Sequence, residues 1–182
     1  MRRRTGASWA STLLSGRSMD QDDKKQKLIE ILKKLDTVML VTEGRAGTLH
    51  GRPMAIADVE PNGDLWFATS RSSEKTRELG ANSRALATAQ GSSLYASVSG
   101  RVELVDSRPK IHELWKDMWK VWFPNGKDDP EIVLLHLQPD AGEYWSNAGT
   151  EGIRYLFEAA KALVTGEKAK PTDDEQHAKV KL

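Results

Sequence analysis

Residues 48–69 constrain the fold more than any other part of the chain. TLHGRPMAIADV (48–59) and DLWFAT (64–69) both read as strands, and Asn62-Gly63 between them can supply the positive φ angles of a tight hairpin. Further strand patterns follow at TVMLVT (37–42), RALATAQ (84–90), SLYASVSGRVELV (93–105), EIVLLHLQP (131–139) and GEYWS (142–146). Helical spacing occurs over 20–36, 72–82, 107–123 and 151–164. Six or seven strands joined mostly by short turns, with helices at the ends and in two connections, fit a small, mainly antiparallel barrel. They do not fit a doubly wound parallel sheet, which needs regular strand–helix alternation.

At 182 residues the chain suits one domain with a sizeable core. We expect that domain over residues 20–165, a disordered extension over 1–19 and a disordered polar tail over 166–182. Residues 1–19 hold four arginines and no acid, which leaves 23 basic and 26 acidic side chains in the remainder. A mildly acidic body gives no basic groove, so no nucleic-acid partner is expected. No apolar run is long enough to cross a bilayer as a helix, so no membrane partner is expected either. The absence of cysteine removes thiolate chemistry and fits a cytoplasmic, reducing location.

The hairpin has chemistry at one end. With Asn62-Gly63 as a two-residue loop, Ile56 faces Thr69 and Arg52 lies level with Ser73. Arg52, Thr69, Ser70 and the start of the 72–82 helix then converge. A helix start offers unpaired N–H groups and partial positive charge. A lysine in that first turn opposes the helix dipole, and an anion beside Lys75 would relieve the conflict. Lys75 paired at the surface with Glu74 and Glu78 is the alternative, and spacing alone leaves both open.

GRPMAIADVEPNGDLWFATSRSSEK, SLYASVSGRVELV, WFPNGKDDPEIVLLHLQP and EYW together resemble the FMN-binding split barrels of the pyridoxamine 5′-phosphate oxidase-like superfamily, most of all the bacterial general stress proteins. The resemblance covers about residues 25–147. It implies a six-stranded antiparallel split β-barrel with flanking helices, a homodimer, and FMN in a groove at the subunit interface. By the same resemblance Arg52, Pro53, Met54 and Ala55 line the flavin and its phosphate tail. Ala68, Thr69, Ser70 and Lys75 fall on the phosphate-contacting motif, while Tyr95 and Trp145 fall near the flavin ring. Glu74 stands where the oxidases have a second cation. The Arg-x-His pair that holds pyridoxal phosphate in the oxidases has no counterpart in SNAGTEGIRYLFEAAKAL, which argues against vitamin B6 oxidation. What remains is an FMN-dependent oxidoreductase of an unknown small substrate, a non-catalytic flavin-binding stress protein, or a deazaflavin-dependent reductase.

Two other features are read as structural. Trp115, Trp119 and Trp122 at i, i+4 and i+7 mark a packed helix face covering a barrel end or a subunit contact. The four histidines, His50, His112, His136 and His177, show no metal-ligand spacing, so no metal is expected.

Overall fold

The computed structural model describes residues 20–146 and 177–182. Helix α1 (Gln21–Leu32) begins where Asp20 accepts a hydrogen bond from the Asp23 N–H at 2.8 Å, an N-cap that satisfies one of the orphan donors. Its apolar positions Leu28, Ile29, Ile31 and Leu32 are all buried. The strands are β1 (Thr37–Glu43), β2 (Leu49–Ala55), β3 (Asp58–Val59), β4 (Leu65–Ser70), β5 (Arg84–Gln90), β6 (Leu94–Val105), β7 (Ile132–Ser146) and β8 (His177–Lys181), with α2 (Glu74–Ala81) and α3 (Arg108–Leu114) between them.

All pairings are antiparallel, in the order β2-β1-β5-β6-β7-β4-β3. The first part of β7 pairs with β4 and its last part with β8. This is the mainly β split barrel with flanking helices that the sequence implies, but with eight strands among the described residues instead of six. Two cores flank the sheet. One gathers α1 with Val38, Leu40, Leu65, Phe67, Val98, Leu135 and Tyr144. The other gathers α3 with Trp66, Trp119, Phe123, Ile132 and Leu134. The alternation Leu65, Trp66, Phe67 sends neighbouring side chains to opposite cores.

Five local expectations change. The 48–59 stretch is not one strand, because the Ile56 N–H bonds to the Asp36 carbonyl and the Ala57 N–H to the Trp66 carbonyl. The chain therefore changes partner between β2 and β3. The β3–β4 loop has three residues, not two: Gly63 N bonds to Glu60 O, Glu60 N bonds to Asp64 O, and Gly63 takes φ +102°. That is a type I turn closed by a left-handed glycine, and it shifts the register by one, so Asp58 faces Trp66.

The segments 131–139 and 142–146 fuse into one strand through a bulge at Asp140, since Ser99 faces Ala141 and Gly100 faces Pro139. A Cβ on Gly100 would lie 2.1 Å from the Gln138 carbonyl oxygen, so only glycine fits there.

The helix expected over 107–123 ends at Leu114. Trp115 turns to ψ 131°, and a 3-10 turn covers Asp117–Val121. The bend tucks Trp119 edge-on to Trp115 at 5.7 Å and leaves Trp122 and Met118 exposed. The three tryptophans therefore share no single helix face.

The tail also differs from expectation at its end. Ala178 and Val180 of β8 are buried against the first core, while His177, Lys179 and Lys181 face outward. A period-2 pattern in HAKVK carries that strand. The helix expected over 151–164 lies outside the described residues.

Candidate functional site

Strand β4 ends at Ser70, and a short turn leads into α2. Ser73 N bonds to Ser70 O at 3.1 Å, Thr76 Oγ1 donates to Ser70 O at 3.0 Å, and the Ser73 and Thr76 hydroxyls lie 2.8 Å apart. This turn fixes the first residues of α2 beside the end of β4. Lys75 is thereby aimed back along the strand, and its Nζ donates to Thr69 Oγ1 at 2.9 Å.

A cleft of about 490 Å³ opens there. One wall is Pro53, Met54 and Ala55 of β2, another is Ala68, Thr69 and Ser70 of β4, and Lys75 closes the polar end. The remaining wall is Trp119, Trp122 and Phe123. Seven of the ten residues expected from the sequence line this one cavity. The aromatic wall was not expected. Its signal is the W-x-x-W-F run itself, which helical spacing reads as a packed face covering a barrel end or a subunit contact.

Lys75 is half-buried, and its pKa is lowered first by burial and then by the charge of Arg52, with Glu78 opposing. It is the only cation among the described residues lining the cleft. An anion beside this partly dehydrated ammonium would favour its charged form and offset the lowering.

Arg52 does not line the cleft. It faces Leu40 in the β1–β2 ladder, donates to Glu78 Oε2 at 2.8 Å, and also donates to Thr42 Oγ1. Thr42 in turn donates to Glu78 Oε2 at 2.5 Å, and His50 Nδ1 lies 2.5 Å from Glu78 Oε1. Burial pushes the Glu78 carboxyl up, but the hydrogen bonds of Thr42, His50 and Arg52 and the Arg52 charge outweigh it and hold the pKa at about 2. Glu78 is buried, so it is neither a solvated partner of Lys75 nor a surface residue. The i,i+4 pair Glu74 and Glu78 was the sequence signal, and the burial that separates their roles was not visible.

Tyr95 and Trp145 are cross-strand partners at the far end of the β6–β7 ribbon. Trp145 lies twelve residues beyond Val133, the partner of Thr69, on the order of 40 Å of strand contour. His177 stacks on Trp145 at 4.9 Å and contacts Glu143 at 2.5 Å. Within one chain these two aromatic residues do not join the Lys75 cleft.

The scattered histidines each meet a carboxylate. His50 gathers with Glu74 and Glu78, and His136 with Glu60 and Asp64, each set with potential ligand atoms within 4.8 Å of one another. A protein cation already serves both: Arg52 at Glu78, and Lys110 at 3.6 Å from Glu60. Both groups therefore have a structural reading without a metal.

Among the described residues, no helix is long and apolar enough to cross a membrane. Several known proteins are similar to this chain. A general stress FMN/FAD binding protein from Xanthomonas citri is 31% identical, with 70% of this chain and 92% of that chain covered and a TM-score of 0.60. A Jannaschia sp. CCS1 protein assigned as general stress protein 26 is 27% identical, with 88% and 99% covered and a TM-score of 0.69. Protein bli-3 of Neurospora crassa is 25% identical over 144 residues, 73% of this chain and 68% of that protein. The family model "Pyridoxamine 5′-phosphate oxidase like" matches residues 23–170, and the chain belongs to that family.

Proposed function

We propose that the cleft is one half of an FMN site completed by a second copy of the chain. The observation that carries this is the partly buried Lys75 bonded to Thr69 at the polar end of a cavity whose other walls are apolar strand and aromatic ring. About 490 Å³ is within the range of small-molecule sites. The donor set suits a ligand that is anionic at one end and planar and apolar at the other. Lys75 and Thr69 would hold the phosphate, with Ser70 beside them. The 53–55 backbone would run along the ring, and Trp119, Trp122 and Phe123 would exclude water.

Tyr95 and Trp145 reach such a site only from a partner copy, which accounts for two exposed aromatics placed far from the cleft. Exposed Met39, Leu49 and Leu86 on β1, β2 and β5 give the sheet an apolar outer surface consistent with a homodimer.

A bound flavin supplies hydride or single-electron chemistry. The chain binds, orients and desolvates. Lys75 is the only titratable side chain among the described residues lining the cleft. The reading is therefore a flavoprotein whose redox chemistry belongs to the cofactor, acting on a small substrate.

The test is the visible spectrum of the purified protein after loading with FMN and desalting. Retained flavin in the wild type, lost in Lys75→Ala, supports the site. Flavin that washes through the wild type refutes it.

A further inference from the structure

The turn between β4 and α2 already holds an anion, and that anion is part of the protein. One oxygen of Glu131, Oε2, accepts three hydrogen bonds: from Ser70 Oγ at 2.8 Å, Ser72 Oγ at 2.9 Å and the Ser72 N–H at 3.4 Å. The Ser70 and Ser72 hydroxyls also lie 2.9 Å apart. These donors, together with the charge of Arg71, hold the Glu131 carboxyl below its ordinary pKa, the Ser70 bond contributing most. Two backbone bonds fix the residue: Glu131 N donates to Asp129 Oδ1 at 2.9 Å, and Arg71 N donates to Glu131 O at 2.7 Å. Arg71 itself is tied to Asp106 at 2.6 Å, so it gives the turn no spare cation. Ser70 lines the cleft that ends at Lys75.

The hydroxyls and N–H that would cradle a phosphate are thus engaged by a carboxylate of the same sign. We propose that Glu131 is an internal anion that an incoming phosphate must displace from the Ser70–Ser72 turn, and that it sets how far the cleft discriminates a phosphorylated ligand from its unphosphorylated form. The proposal rests on the flavin reading for the identity of the ligand, but not for the identity of the displaced group. A carboxylate within about 5 Å of a phosphate dianion, in surroundings close to bulk water, weakens binding by about tenfold. Salt reduces the effect because Glu131 is exposed.

The experiment compares FMN and riboflavin binding, by flavin fluorescence, to wild type, Glu131→Gln, Glu131→Ala and Lys75→Ala. Glu131→Gln keeps the shape and an acceptor for the serines while removing the charge. The expected result is FMN bound about tenfold tighter by Glu131→Gln, with riboflavin changed less than twofold and the FMN gain shrinking in high salt. An unchanged or weaker FMN affinity in both Glu131 variants, with Lys75→Ala still impaired, overturns the role of Glu131 and leaves the flavin site standing. If wild type and Lys75→Ala bind both flavins equally poorly, the flavin reading fails. Inorganic phosphate then decides Glu131 by itself: larger phosphate-induced NMR shifts at Lys75 and Thr69 in Glu131→Gln sustain the inference, and equal shifts overturn it.

Discussion

Replacing Glu78 with glutamine tests whether the buried network beside the cleft is held by charge. Glu78 is 7% exposed at its side chain and accepts from Arg52, Thr42 and His50. Its pKa of about 2, against an ordinary 4.5, corresponds to about 3 kcal/mol of stability for the ionised form. Because the folded value is depressed, this stability is present above pH 4.5 and is lost as pH falls through about 2. Glu78→Gln should therefore destabilise the protein by about 3 kcal/mol near neutral pH. The difference from wild type should narrow to roughly 1.4 kcal/mol near pH 3, the linkage value for those two pKa values. Denaturant melts of both proteins at each pH measure it, and most other acid-titrating groups cancel in the difference. A penalty that stays constant between neutral pH and pH 3 would refute the reasoning, because it would place the role of Glu78 in packing instead of ionisation.

Other consequences are open to direct measurement. Gly100→Ala should cost at least about 2 kcal/mol in a denaturant melt, since the new methyl meets the Gln138 carbonyl. Gly80→Ala, with nothing within 4 Å of its Cβ, should instead gain about 0.5–1 kcal/mol. Val180→Asp should lower stability by about 2 kcal/mol or more, because Val180 is only 3% exposed and Asp would bury a charge; a neutral result would show that β8 does not pack in solution. Homodimers of Lys75→Ala or of Trp145→Ala should each fail to hold FMN, while an equal mixture after subunit exchange should recover roughly a quarter of all sites, one per heterodimer, if each site draws one residue from each copy. No recovery after demonstrated subunit exchange would place both residues in one chain's site, or Trp145 in none.

What could be read from the sequence followed from local rules. Periodicity marked α1, β1, β5 and β6, and Asn62-Gly63 marked the turn. The β4–α2 junction put Thr69, Ser70 and Lys75 together because only six residues separate the first from the last. What could not be read depended on contacts between distant segments. The one-residue error in the hairpin came from a three-residue loop that the same Asn-Gly pair supports equally well. A hairpin register and the family resemblance both point Arg52 at the phosphate, whereas its strand pairs with β1 and brings it to Thr42 and Glu78 in this structure. Glu131 lies 61 residues from Ser70, and no short-range signal links them. The tail's last residues look polar in composition, yet two apolar side chains at alternate positions are enough to add an edge strand.

Those long-range contacts change how a phosphate would be held. Arg52 is committed to Glu78, and the serine donors are committed to Glu131. Lys75 is left to neutralise part of a phosphate charge of about −2. Binding by that one cation, partly exposed and screened by salt, would be weak by itself. On the proposed site, retention of a flavin would therefore come largely from burial of its ring, by the aromatic wall and, if a second copy completes the site, by that copy's Tyr95 and Trp145. On this logic, removing Trp119 or Trp145 should weaken FMN and riboflavin alike, whereas changes at Lys75 or Glu131 should act on FMN alone. Equal losses for both ligands on mutating Lys75 would show that the cation supports the cleft instead of contacting the phosphate.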